Sequence, residues 1–78
     1  MLSVSQIKAA RAMLGLSAAE LAEISGVGQA TIRRYELQSG IPIASTKILM
    51  QLKVALESYG IEFTGDPLKN PGVVLHIK

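Results

Sequence analysis

Arg33 and Arg34 stand side by side, with Gln29, Ala30 and Thr31 just before them. Arginine offers a planar fork of donors and glutamine a donor beside an acceptor, so the group suits holding an anion or a flat polar edge; it does not suit making or breaking bonds. The rest of the inventory points away from catalysis. The chain has no cysteine, which removes disulfides, thiolate metal sites and nucleophilic thiols. Its one histidine, His76, lies in an apolar stretch and reads as an exposed strand residue. Glu20, Glu23, Glu57 and Glu62 show no paired-carboxylate spacing and read as cap and surface charges. Gly26 and Gly28 lack the preceding strand and the GK[ST] or GxGxxG pattern of a phosphate cradle. No catalytic residue, metal ligand or cofactor is expected, and the chain reads as a non-enzyme.

A very small scaffold has to position those residues. The 78 residues are 49% hydrophobic and 18% charged, with a mean hydropathy of +0.35. That is too apolar for a disordered segment, and the length is one at which a single core only just outweighs chain entropy. The net charge is only +2, so the placement of charges matters more than their sum, although a pI near 9.2 leans toward anionic partners. No apolar run approaches the ~20 residues that cross a bilayer, and no basic-then-apolar leader opens the chain. A cytoplasmic protein without a membrane partner is expected.

Two capping boxes punctuate the first half. Ser3-Val4-Ser5-Gln6 opens a helix that carries Val4, Ile7, Arg11 and Leu14 on one stripe and stops at Gly15; Ser17-Ala18-Ala19-Glu20 opens a second, which ends at Ser25-Gly26-Val27. Val27 is placed to plug the angle between that helix and a third, read over Gln29 to Gln38. There Ile32 and Tyr35 with Glu36 face inward, and Gln29, Ala30, Arg33 and Arg34 face out. A fourth helix runs from a Ser45 or Thr46 cap to Tyr59, with Ile48, Leu52, Ala55, Leu56 and Tyr59 as its buried stripe and Met50 and Val54 left apolar on the far side. Ile61 to Thr64 and Val73 to Ile77 then read as a hairpin. Arg11, a charge on an apolar stripe, requires an acidic partner from elsewhere in the chain.

The run from Leu16 to Glu36, with Leu-Gly-Leu-Ser before the second helix, Gly-Val in the turn and Thr-Ile ahead of a downstream Glu, resembles the helix-turn-helix of the phage-repressor-like, or XRE, transcription regulators. The resemblance covers Gln6 to Gly60. It implies a mainly α fold, a compact four-helix lambda-repressor-like DNA-binding domain over residues 1–60, with residues 61–78 as a C-terminal β-hairpin extension of the same domain. It also implies that the third helix enters the major groove of double-stranded DNA. Carried over position by position, Gln29 and Ala30 face base edges, Arg33 and Arg34 lie one turn on, and Thr31 reaches the backbone. Arg11 and Glu36 match a structural ion pair of the family. Ala18 stands where many relatives carry glutamine and Gly28 where many carry Ser or Thr, so phosphate contact near Ser17 and Ala18 falls to main-chain amides. Ser39, Gly40 and Lys47 are further phosphate candidates.

The function this implies is sequence-specific regulation of transcription, as a repressor. The competing reading is a protein-interaction module, or the antitoxin partner of a toxin, working through the fourth helix and the hairpin. A homodimer is expected in either case, through Met50 and Val54 or through Val73, Leu75 and Ile77.

Overall fold

In the computed structural model, which describes residues 2–77, each helix except the third begins where a serine takes up a free amide. Ser3 caps α1 (Val4–Leu14), Ser17 caps α2 (Ala18–Ser25) and Ser45 caps α4 (Thr46–Ser58), whereas α3 (Gln29–Glu36) starts at Gly28 with no side-chain cap. Strands β1 (Ile61–Thr64) and β2 (Gly72–Leu75) pair antiparallel, with Ile61 opposite Leu75 and Thr64 opposite Gly72. The described residues thus form four helices and a two-stranded hairpin.

One core serves all six elements. Ile7 and Ala10 of α1, Leu21 of α2, Ile32 and Tyr35 of α3, Leu49, Leu52 and Leu56 of α4 and Ile61 of β1 are buried together; Phe63, Val73 and Leu75 pack on the same cluster from the hairpin. Gln6, whose side chain completes the α1 capping box by accepting the Ser3 N–H at 3.1 Å, also donates Nε2–H to the Thr64 and Gly72 carbonyls at 3.3 and 3.2 Å. That buried amide sews the hairpin onto α1, so no polar atom of its side chain is left unpaired.

Three boundaries differ from the sequence reading. Helix α3 ends at Glu36 rather than Gln38, because the Gln38 N–H turns back to the Tyr35 carbonyl and its side chain accepts the Ile43 N–H at 2.8 Å. Tyr59 does not continue the α4 stripe; the helix stops one residue earlier and Tyr59 is half-exposed, while Leu49, near the start of the helix, is buried. Strand β2 ends at Leu75, leaving Ile77 outside it and exposed, and Lys78 lies outside the described residues.

Candidate nucleic-acid interface

The presentation of α3 is decided by what lies behind it. Gly26 closes α2 at φ +75°, a conformation that a side chain resists, and donates its N–H to the Ala22 carbonyl at 3.0 Å. The Ser25 hydroxyl bonds the Leu21 carbonyl at 2.6 Å and accepts the Val27 N–H, which turns Val27 into the core between the two helices. At the far end of α3, the Arg11 guanidinium grips Glu36 with two bonds, 2.9 Å to Oε2 and 2.6 Å to Oε1, and donates a third to the Leu16 carbonyl at 3.0 Å. The hydrogen bond to Glu36 raises the Arg11 pKa further above an already high ordinary value, so this charge is fixed.

With Ile32 and Tyr35 buried, the 3.6-residue turn leaves Ala30 and Arg34 at the centre of the outward face of α3. Gln29 and Thr31 sit half-buried on its two sides, and Arg33 is exposed on the side toward α1. The Arg34 guanidinium carbon lies 5.7 Å from the centre of the Tyr35 ring, within cation–π range, which orders its stem while the fork stays accessible.

The start of α2 offers less than its sequence suggests. Ser17 Oγ accepts the Glu20 N–H at 3.1 Å, and Glu20 Oε1 accepts the Ser17 N–H at 3.0 Å. The Ser17 side chain is therefore occupied by the cap, and the Glu20 carboxylate stands beside the helix terminus. The main-chain bond from Ser17, reinforced by its hydroxyl, lowers the Glu20 pKa below the usual glutamate range. Only the amides of Ala18 and Ala19 stay free there for a phosphate.

Other positions settle differently from their sequence neighbourhood. The Gly40 carbonyl turns inward to accept the Val4 N–H at 2.8 Å, and Lys47 lines a groove of about 460 Å³ with Ile24, Met50, Gln51 and Val54, on the α2–α4 side. Ser39 is exposed on the loop between α3 and α4. Lys8, which sequence reasoning passed over, lines a shallow cleft with Arg33, Glu36 and Leu37. Its signal was present: it lies one turn before Arg11 on α1, so wherever Arg11 meets the end of α3, Lys8 flanks it. Met50 and Val54 are exposed on α4, whereas Val73 and Leu75 turn into the core and keep only main-chain groups for an outside partner.

A short helix, a tight glycine turn and a second helix pinned with its basic face outward define a helix-turn-helix protein. A family model described as helix-turn-helix matches residues 7–57. The chain belongs to this XRE-type family of DNA-binding regulators. No curated protein matches it. No helix among the described residues is long and apolar enough to cross a membrane.

Proposed function

We propose that this protein is a sequence-specific repressor that works in the cytoplasm by occupying an operator, with α3 in the major groove. The observation that carries the reading is the outward face of α3, where Arg34 and Ala30 stand opposite the buried Ile32 and Tyr35, with Gln29 and Arg33 flanking. In this account Gln29 and Arg34 read base edges, Ala30 lies against them, Thr31 meets the backbone and Arg33 holds a phosphate. The free amides at Ala18 and Ala19 supply a second phosphate contact beyond the Ser17 cap. Arg11 and Glu36 touch no DNA; they set the angle at which α3 is offered. Two copies related by a two-fold axis place their α3 helices about one DNA turn, ~34 Å, apart, so the operator is an inverted repeat.

Selection of bound duplexes from a randomised pool tests this. The expected outcome is an enriched inverted repeat; a pool that stays random after repeated rounds contradicts sequence-specific reading. A second reading, an interaction module or antitoxin that binds a toxin through α4, draws on the exposed Met50 and Val54 beside the Ile24 groove. It predicts that Arg33→Ala and Arg34→Ala leave partner binding intact.

A further inference from the structure

The hairpin has an edge whose main-chain groups point outward. His76 donates its N–H to the Gly60 carbonyl at 2.8 Å, and from there the register alternates, so Glu62 with Val74 and Thr64 with Gly72 are the hydrogen-bonded pairs. Val73 and Leu75 therefore direct their N–H and C=O groups away from β1, toward a side that no other strand occupies among the described residues. Within Gly72–Leu75 that side carries no charge, proline or bulge, and Pro71 lies just before it. Alongside it, between β2 and the outer surface of α1, runs a mainly apolar groove of about 470 Å³ lined by Ala9, Ala12, Met13, Pro71 and Val73, with Ser5 and Gln6 at its polar end. Met13 in this groove is 48% exposed, and on and beyond the strand Val74 is 41% and Ile77 87% exposed.

We infer that this edge is the dimer surface, with β2 pairing antiparallel to β2 of a second copy about a two-fold axis at Val74. The inference rests on the dimer invoked for operator binding and names its interface. The strand is self-complementary in that register. Val73 and Leu75 exchange main-chain bonds with Leu75 and Val73 of the second copy, and the Ile77 N–H meets the carbonyl opposite Pro71, for about six bonds in all. Val74 covers its own counterpart on the outer face. Ile77 keeps the parity of Val73 and Leu75, and so falls beside Pro71 of the second copy, at the mainly apolar part of its groove.

Charge separates this surface from the α4 face. A two-fold contact through Met50 and Val54 sets Lys47 and Lys53, which flank Met50, against the same lysines of the second copy. On the β2 edge, His76 falls opposite Gly72 of the second copy and is paired with Glu62 at 2.6 Å on the outer face, so no like charges face each other across positions 71–77. About six hydrogen bonds correspond to an interface of roughly 1,000 Å², at the low end for specific complexes, so association is followed from low to high micromolar concentration.

The test uses the full chain, which has no native cysteine. Facing residues on a non-hydrogen-bonded pair lie ~4.5 Å apart at Cα, within disulfide reach. Under a thiol–disulfide buffer, Val74→Cys is expected to form a covalent dimer, and Val54→Cys is not. In sedimentation equilibrium from low to high micromolar, Ile77→Asp is expected to weaken association at least tenfold while Val54→Asp leaves it unchanged; Ile77 is exposed in the monomer, so folding is not at stake. Cross-linking and loss of association at position 54 with neither effect at 74 and 77 overturns the edge and keeps the dimer. A wild-type chain that is monomeric throughout overturns both.

Discussion

Arg11 meets Glu36 through both oxygens of the carboxylate, Nε to Oε2 at 2.9 Å and Nη2 to Oε1 at 2.6 Å, while its remaining nitrogen holds the Leu16 carbonyl. One side chain thus ties α1, the loop before α2 and the end of α3. The two side chains are 26% and 11% exposed, so the pair is neither a solvated surface bridge nor a fully dry one. Glu36→Ala should cost about 2–3 kcal/mol, short of the ~3–5 of a fully buried pair. Glu23→Ala, at an exposed position, should cost within about 0.5 kcal/mol. Arg11→Lys should recover only part of the loss, because an ammonium cannot reproduce the fork. Denaturant midpoints check all three, and equal small effects would contradict the assignment.

Two glycines separate conformational strain from collision. At Gly26 an added Cβ finds its nearest neighbour 3.8 Å away in the Gln51 side chain, so Gly26→Ala meets only the penalty of positive φ, about 1–2 kcal/mol. At Gly60, φ is +98° and the Cβ would sit 2.8 Å from the His76 main-chain oxygen. Gly60→Ala should cost about 3 kcal/mol and open the hairpin, seen as loss of amide protection at His76.

The α2 capping box makes a pH-dependent contribution. Glu20 has a lower pKa folded than unfolded, so its stabilisation is present above the unfolded pKa and is lost as pH falls through the folded one. Wild type should melt above Glu20→Gln at neutral pH, and the gap should close in acid below the usual glutamate range. A gap of constant size across that interval would count against an ionised Glu20 in the cap.

The helical part of the fold was legible because its signals are local. Each Ser-x-x-Glu or Ser-x-x-Gln box states a start, and Gly15 and Gly26 state stops, without reference to the rest of the chain. The need of Arg11 for an acid was equally readable, since a charge on an apolar stripe implies a partner. What escaped was tertiary. Gln6 carries the same code as any capping-box glutamine, and nothing nearby says that its amide also reaches the Thr64 and Gly72 carbonyls far along the chain. Tyr59 fits the α4 stripe in sequence, but the helix ends at Ser58 and leaves it half-exposed, and the burial of Leu49 at the other end depends on what packs against it. Lys8 was legible as a neighbour of Arg11 one turn along α1, but its place beside Arg33 comes from the packing of α1 against α3.

Binding isotherms for Gln29→Ala, Arg34→Ala, Arg33→Ala and Lys8→Ala, on the selected operator and on a scrambled duplex over a range of salt, test the central claim most directly. Base readers and phosphate holders leave different traces. Gln29→Ala and Arg34→Ala should each lose about 1–3 kcal/mol on operator and little on scrambled duplex, narrowing the ratio between them. Arg33→Ala, and Lys8→Ala because its ammonium lines the same cleft as Arg33 and faces the same phosphate in this account, should weaken both duplexes alike and reduce the salt slope by about one unit each. If all four variants bind both duplexes as wild type does, α3 is not the reading element and the DNA-reading account of this face is wrong.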